Sequence, residues 1–494
     1  MRKFLKKSIL EIFQTLYEAH ISVKQFIDNK DIDNAMALLA DCQDTAIQIG
    51  GIIEDSEGEG FVTIGFLEEY CEALYEVSTS ISEGNNGNNA QKSLDKKLIK
   101  AENSVRNDIK VRLEVVFCPY QASMWDSLES VWRAADADPD CDAYVVPIPY
   151  YDRNPDRSLG EFHYEGRNLP DYVPVTHYEV YNFEDRRPDV VYIHNPYDDN
   201  NYVTSVDPRF YSSELKKYAD HLVYIPYFIA GYFNKPDNYA ITRTPGMANS
   251  DLIVLQSETL KRIYISNGVD SRKIIVSGSP KTDAVFDHSF SDFPDQWKPL
   301  KERKVCLINS SISSFLEWDN FISVLKGMIN KLVCEGQYSI LWRPHPLLES
   351  TINSMRKAKR KEYDEFCKWF SGQSCCVKDE LADSRYAIHF SDILLSDYSS
   401  LIFSYIPTEK PVIEYFNSKP PITDSTVFAC DTRSVYYYNY ASESADTLAA
   451  LVNDVLAEDR MKDERMMSYR RSMVNCDGTC GKKTHDLIKK RVLE

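Results

Sequence analysis

The residues best suited to chemistry lie in Ser396-Asp397-Tyr398-Ser399-Ser400, between a predicted buried strand, Ile393 to Leu395, and a predicted helix, Leu401 to Tyr405. A strand that turns into a helix presents free backbone N–H groups and the positive end of the helix dipole. Such a turn is suited to bind a phosphate group. The alternative is a plain N-cap, since Ser and Asp are common before any helix.

Two further polar segments follow predicted strands. Gly278-Ser279-Pro280-Lys281-Thr282-Asp283 comes after the strand Lys273 to Val276, and Arg343-Pro344-His345-Pro346 comes after the strand Tyr338 to Trp342. In open parallel sheets, ligands bind at the carboxyl ends of the strands. Three polar segments in this position therefore favour a phosphate site over three unrelated caps.

Predicted strands and helices, which position these segments, alternate along the chain from residue 111 onward. The alternation restarts at Lys304. Such alternation predicts parallel sheets covered by helices on both faces. We predict an α/β protein with two Rossmann-like domains facing a cleft, residues 108–280 and 281–494. Before them, apolar residues at 3–4 spacing predict an all-helical bundle over residues 1–82. Polar residues 82–89 open a predicted linker and connecting helix over residues 83–107.

Composition narrows the function classes. The 494 residues carry 57 basic and 75 acidic side chains, a formal net charge of −18. An acidic chain argues against broad nucleic-acid binding, which needs a basic surface. The 12 cysteines form no paired CxxC motifs, so we expect no metal site and a reduced, cytosolic protein.

The sequence also bears on membranes. No apolar run approaches the ~20 residues that span a bilayer. The basic residues 1–10 precede no long apolar stretch or cleavage site, so we do not expect a signal peptide. We interpret them as the first helix of the bundle with a basic outer face; the alternative is a helix on the membrane surface.

Taken in order, the segments Gly278 to Asp283, Arg343 to Pro346 and Ser396 to Ser400 resemble those of the CDP-glycerol glycerophosphotransferases, which build teichoic-acid-like polymers. The resemblance covers roughly residues 110 to 490. It implies a GT-B-like fold in which the second Rossmann-like domain holds the nucleotide.

The resemblance also implies roles on the donor side. Arg343 is implied to clamp the diphosphate bidentately. His345 is implied to donate to a phosphate oxygen or to protonate the leaving CMP. Ser399 and Ser400, with their backbone N–H groups, are implied to hold the phosphates. The structural alternatives are a histidine fixed by two prolines and a salt bridge of Arg343 within its own domain.

The remaining donor-side residues are open to two interpretations. Asp397 orients a donor hydroxyl or caps the helix. Gly278, Ser279 and Lys281 are candidates for substrate binding, or their segment is only the turn between domains. For Asp283 we expect positioning alone.

The acceptor side departs from the family pattern. The usual base is a histidine in a His-Gly-Thr turn, and the comparable stretch, Leu222 to Gly231, contains no histidine. His194 is the best replacement, because it leaves the predicted strand Val190 to Ile193 and Asp198 or Asp199 could orient it; a structural turn is the alternative. Weaker candidates for the base are Tyr227 and His163, and candidates for the acceptor wall are Tyr120, Trp125 and Asp126.

We therefore expect a transferase that moves glycerol phosphate, or a similar alditol phosphate, from a CDP-activated donor to a hydroxyl of a cell-wall or capsule-type acceptor, releasing CMP. The alternatives are a GT-B glycosyltransferase using a nucleotide sugar and a non-catalytic nucleotide-binding relative. We expect no cofactor and no nucleic acid as partner. The expected partners are the CDP-alditol, a glycan or polyol-phosphate acceptor, the inner face of the membrane for a cytoplasmic protein, and a second copy bound through the helical region.

Overall fold

A computed structural model describes residues 1–83, 89–233, 239–286, 293–381, 383–418, 426–431 and 433–494. Most of the predicted linker at residues 82–89 lies outside these ranges. The chain forms two compact units, one of residues 1–114 and 139–142, the other of residues 115–138 and 143–494. Within the described residues, no helix is long and apolar enough to cross a membrane.

The first unit is built from four long helices with a shared apolar core. Apolar residues at 3–4 spacing, such as Ile9, Phe13 and Leu16, are buried in it. The connecting helix predicted after residue 90 is more than a connection, since Leu94 and Leu98 on one of its faces are fully buried in the same core. The helices are α1 (Lys3–Asp28), α2 (Ile32–Glu57), α3 (Val62–Ser82) and α4 (Ala90–Asn107).

The first Rossmann-like half contains a six-stranded parallel sheet within the described residues. Its central strands read as continuous apolar runs and are buried along their whole length, as expected for a sheet covered on both faces. The elements are β1 (Leu113–Cys118), α5 (Glu129–Asp136), β2 (Cys141–Val145), β3 (Tyr150–Arg153), β4 (Leu159–His163), α6 (Phe183–Arg186), β5 (Val190–Ile193), β6 (Thr204–Val206), α7 (Ser212–Tyr218), β7 (His221–Tyr224), β8 (Tyr232–Phe233), α8 (Pro245–Asn249), β9 (Leu252–Leu255), α9 (Glu258–Ser266) and β10 (Ile274–Val276). The strand order is β10-β9-β7-β5-β1-β2.

The second half repeats this architecture with its own core around Trp342 and Leu325. Its described strands form another six-stranded sheet, in the order β13-β12-β11-β14-β15-β17, with parallel neighbours. The elements are β11 (Lys304–Ser310), α10 (Ile312–Glu317), α11 (Phe321–Cys334), β12 (Tyr338–Pro344), α12 (Leu348–Met355), α13 (Arg360–Ser371), β13 (Cys376–Lys378), α14 (Ser384–Phe390), β14 (Ile393–Ser396), α15 (Ser400–Tyr405), β15 (Val412–Phe416), β16 (Val427–Phe428), β17 (Tyr436–Asn439), α16 (Ala445–Ala457), α17 (Lys462–Ser472) and α18 (Cys480–Leu493). The predicted pair of Rossmann-like halves is confirmed.

Two features lie outside the predicted pattern. Residues 150–184 interrupt the alternation of strands and helices with the hairpin β3–β4, which pairs with β6 in a separate antiparallel sheet. In addition, α18 returns to the first half, where the hydroxyls of Ser277 and Thr484 are 2.7 Å apart and His485 Nε2 is 2.8 Å from Asp138 Oδ2. The end of the chain thus packs on the half that we predicted to stop at residue 280.

Candidate active site

A cavity of about 430 Å³ lies between the two Rossmann-like halves. The second half contributes the turn Arg343 to Ser350 after β12 and the segment Lys378 to Leu381 after β13. The first half contributes the hairpin β3–β4 and the loop after β1, including Gln121 and Ser123. In the second half, the carboxyl ends of β12 and β13 lie at this cavity, in agreement with the rule that ligands bind at the carboxyl ends of parallel strands.

His345 lies in the wall of this cavity with a defined tautomer. Its backbone N–H donates to Ser310 O at 3.0 Å, and its ring Nδ1 accepts from the Leu347 N–H at 3.1 Å. Because Nδ1 is the acceptor, the ring proton lies on Nε2. Burial, and then the neighbouring Arg343 guanidinium, lowers the pKa of His345 to about 4. At neutral pH the ring is therefore an uncharged N–H donor, which fits a hydrogen bond to a phosphate oxygen better than proton transfer to a leaving group.

Arg343 is buried beside His345 and forms an ion pair within the second half. Its Nη1 donates to Asp379 Oδ2, and to Leu381 O at 3.0 Å. Burial raises the pKa of Asp379 although Arg343 opposes the rise. The structure thus contains the salt bridge within the second half that the sequence analysis gave as the alternative role of Arg343. Arg343 also lines the cavity.

The segment Ser396 to Ser400 has the geometry of a cap. Ser399 Oγ accepts from the Leu401 N–H at 3.2 Å at the start of the six-residue helix α15. Asp397 is buried and accepts from the Ser311 N–H at 2.8 Å and from the Ser314 hydroxyl. Burial raises the pKa of Asp397 to about 6. Neither Ser399 nor Ser400 is among the described residues that line the cavity around His345, so their phosphate contact stays a prediction.

The segment Gly278 to Asp283 holds the first half to the end of the chain. Gly278 has φ of +103°, and a Cβ there would lie 2.4 Å from Val474 O. Lys281 forms a buried ion pair with Asp126, and Asp283 accepts from the backbone N–H of Gly481 at 2.7 Å at the start of α18. Packing explains the residues of this segment, including the buried Ser279, and none of them lines the cavity among the residues that the structure describes.

His194 does not reach the cavity. The ring is fully buried, its Nε2 accepts from the Tyr120 N–H at 3.0 Å, and its Nδ1 lies 3.2 Å from Met124 O. Burial lowers its pKa to about 3. With both nitrogens occupied, the ring has no lone pair for an acceptor hydroxyl, so the predicted acceptor base is placed in the core instead.

The residues grouped with His194 also make structural contacts, although Trp125 and Asp126 line a second cavity of about 210 Å³, so their role as an acceptor wall stays a prediction. Asp198 accepts from the Ser212 hydroxyl at 2.6 Å at the start of α7, and Asp199 is exposed. Tyr227 packs edge-on against the His194 ring, with 6.3 Å between centroids. Tyr120 and Trp125 are buried, and Asp126 is tied to Lys281.

Acidification is expected to destabilise the protein through His194. Between its lowered pKa of about 3 and the ordinary value near 6.5, the unfolded chain binds a proton that the folded chain does not. The free energy of unfolding should therefore fall with falling pH across this window, by up to ~1.4 kcal/mol per pH unit. His194→Gln keeps a donor and an acceptor without titrating, so its urea midpoints at pH 5 and pH 7 should differ less than those of the wild type. An exposed control, His177→Gln, should keep the wild-type difference; equal slopes in all three proteins would contradict the assignment.

Sequence reasoning missed several residues of the cavity. Lys378 Nζ lies 3.1 Å from Glu349 Oε1, and both side chains line the wall near His345. Tyr150 and Asp152 enter from the hairpin β3–β4. Lys378 ends the short strand β13, so the strand-end rule could have found it, whereas the hairpin has no apolar run to mark it.

The fold and the cavity define a GT-B-like protein with its ligand site between two Rossmann-like halves. A solved structure, the Wall Teichoic Acid Polymerase TagF, has a TM-score of 0.50 at 14% identity and covers 86% of this chain and 98% of its own. A TagF variant soaked with CDPG gives the same TM-score, identity and coverage. At this identity the likeness concerns the fold alone, and it confirms the predicted GT-B-like class.

Sequence comparisons then relate one segment of the chain to a known family. The family model of the CDP-Glycerol:Poly(glycerophosphate) glycerophosphotransferases matches residues 319–490, which include His345 and Ser399. The Staphylococcus aureus teichoic acid ribitol-phosphate polymerase TarL is 25% identical over 156 residues, 30% of this chain and 25% of TarL. The Bacillus spizizenii teichoic acid poly(ribitol-phosphate) polymerase is 24% identical over 237 residues, 43% of this chain and 34% of its own length. The family resemblance is confirmed for this segment, and the matched regions span about a quarter to a third of these relatives.

Proposed function

We propose that the protein is a transferase that moves an alditol phosphate, glycerol phosphate or a similar group, from a CDP-activated donor to an acceptor hydroxyl and releases CMP. The observation that best supports this function is the neutral His345 ring. Its Nε2–H is available at the cavity wall, because Nδ1 accepts from the Leu347 N–H. This ring lies within the segment that matches the glycerophosphotransferase family.

The cations of the cavity support a diphosphate ligand. Arg343 is paired with Asp379, and Lys378 with Glu349, so each positive charge is held in place by a carboxylate. A donor diphosphate would accept from the guanidinium and from the His345 N–H, stabilising charge on the phosphoryl oxygens during in-line displacement. The cavity volume of about 430 Å³ lies in the ordinary range for small-molecule sites.

A non-catalytic nucleotide-binding relative is the second candidate. It is favoured by one observation, the complete burial of His194 with both ring nitrogens bonded. A glycosyltransferase acting on a nucleotide sugar would use the same phosphate-binding groups and would differ in the atom attacked.

A donor panel separates these functions. The purified chain is incubated with radiolabelled CDP-glycerol, CDP-ribitol or UDP-sugars and a short ribitol-phosphate or glycerol-phosphate oligomer. Release of CMP with label in the oligomer is expected for a CDP-alditol only. Transfer from a UDP-sugar would replace the proposal by a glycosyltransferase, and binding of a nucleotide without turnover of any donor would favour the non-catalytic relative.

The proposal also covers the acceptor, the place of the reaction and the oligomeric state. The acceptor is a cell-wall or capsule-type polymer, and the relatives are teichoic acid polymerases by name. The reaction takes place in the cytoplasm at the inner face of the membrane. Peripheral attachment would involve the basic first helix, α1. A homo-oligomer would form through the helical region, and size-exclusion chromatography with light scattering tests it.

A further inference from the structure

An acceptor hydroxyl that attacks phosphorus must lose its proton, and the first half contributes one histidine to the described cavity wall. Of the nine histidines, His163 and His345 are the two that line this cavity among the described residues. We propose that His163, oriented by Asp152, takes the proton of the acceptor hydroxyl. This inference rests on the proposed function and names the acceptor side of the same site.

The hairpin holds His163 in a fixed position. His163 pairs with Tyr150 across β3–β4, and the two rings stack with 4.9 Å between centroids at 22°. The Tyr150 hydroxyl donates to Glu165 Oε1 at 2.5 Å, and Glu165 Oε2 accepts from the Ala122 N–H at 2.8 Å. The stacked pair is thereby hydrogen-bonded to the loop after β1, which fixes the position of the imidazole at the cavity wall.

The two ring nitrogens of His163 have different surroundings. Nε2 is shielded from solvent and lies 3.2 Å from Asp152 Oδ2, at ion-pair distance though not aligned for a hydrogen bond. Nδ1 makes no hydrogen bond within the described part of the chain, and since His163 lines the cavity we assign this nitrogen to the acceptor. Asp152 therefore favours the tautomer with the proton on Nε2 and a free lone pair on Nδ1, and it would stabilise the imidazolium that forms on proton uptake. Such contacts commonly tighten only when substrate is bound.

The stretch Leu222 to Gly231 is closed to an acceptor. Gly231 O accepts from the N–H groups of Ala429 and Cys430 at 2.7 and 2.8 Å, and β8 pairs with β16 of the other half. The Tyr232 N–H donates to the Tyr398 hydroxyl at 3.1 Å, and that hydroxyl would lie 1.8 Å from a Cβ at position 231. These contacts cover the stretch that would hold the family's usual base and leave the hairpin side, where His163 lies, for the acceptor.

The step balances without any further reactant. The acceptor oxygen forms a bond to the β-phosphorus of the CDP-alditol while its proton moves to His163 Nδ1. The bond between the β-phosphorus and the bridging oxygen breaks, and its electron pair leaves with CMP, whose oxygen accepts from the His345 Nε2–H. His163 later returns the proton to solvent.

The test measures transfer from CDP-ribitol or CDP-glycerol to the oligomeric acceptor, and donor affinity by calorimetry, on the full chain. His163→Ala is expected to lower kcat at least about 100-fold, the usual contribution of a general base, with donor Kd within about threefold of wild type. Added imidazole should raise the rate of His163→Ala and leave the wild-type rate unchanged. Asp152→Asn should lower kcat about 10-fold without changing donor affinity.

The matched control is His177→Ala, another histidine of the first half that lies outside the described cavity wall; it should keep the wild-type rate. A His163→Ala rate within about threefold of wild type overturns the assignment, as does a parallel loss of donor affinity. Loss of wild-type activity in EDTA with recovery in Mn²⁺ also overturns it, because Asp152, Glu161 and His163 bring ligand atoms within 4.8 Å of one another and would then hold a cation. A wild-type chain that transfers from no CDP donor defeats the proposed function itself.

Discussion

His345→Ala is expected to lower the rate of transfer by at least about 10²- to 10³-fold, while the fold is retained. The side chain is a neutral N–H donor at the cavity wall, and its loss would remove the proposed hydrogen bond to the phosphoryl or leaving oxygen, where charge develops. Its surroundings favour a modest effect on folding, because His345 lies in the cavity wall and its Nδ1 contact is local. CMP release at saturating donor and circular dichroism measure the two effects.

Two variants make this prediction sharper. His345→Gln keeps an N–H donor without the ring and is expected to retain more activity than His345→Ala. His389→Ala, at an exposed position of α14, is the matched control and should transfer like the wild type. A near-wild-type rate for His345→Ala would remove His345 from the mechanism.

Gly278→Ala is expected to lower the free energy of unfolding by about 3 to 5 kcal/mol. The φ of +103° at Gly278 is one that residues with a side chain rarely adopt. A Cβ would also lie 2.4 Å from Val474 O and 2.8 Å from Cys480 Sγ, so the start of α18 would have to move away from the first half. Urea denaturation followed by tryptophan fluorescence measures the loss.

Gly268→Ala separates the two causes. Gly268 has a similar φ of +91°, and a Cβ at this position would have no described atom within 4 Å. The change should therefore cost only the backbone strain, about 1 to 2 kcal/mol. Equal losses in the two variants would show that the contact between Gly278 and Val474 does not hold α18 in place.

Local sequence signals sufficed where the deciding interactions are local. Buried strands such as β14 show as apolar runs, and a cap such as Ser399 shows as a serine before an apolar helix. The strand-end rule placed Arg343 and His345 at the cavity, because all strands of a parallel sheet have their carboxyl ends at the same edge.

The same rule failed at His194, since it predicts position along a strand and not what covers the strand. His194 follows β5, which lies inside the sheet between β7 and β1. The loop after β1 folds over this strand end and bonds both ring nitrogens through Tyr120 and Met124. Nothing near His194 in the sequence encodes that cover, because the covering residues lie about 70 positions earlier.

By itself, the sequence determined the α/β class, the two Rossmann-like halves and the resemblance of residues 319–490 to the glycerophosphotransferase family. Only the tertiary structure decided which histidine shares a cavity with His345, since that depends on contacts between distant segments. The hairpin β3–β4 has neither the apolar run nor the strand-end position that mark a site, yet its pairing with β6 brings His163 to the cavity wall. Strand periodicity is a local property of the chain, whereas the direction and cover of a side chain arise only when the chain is folded.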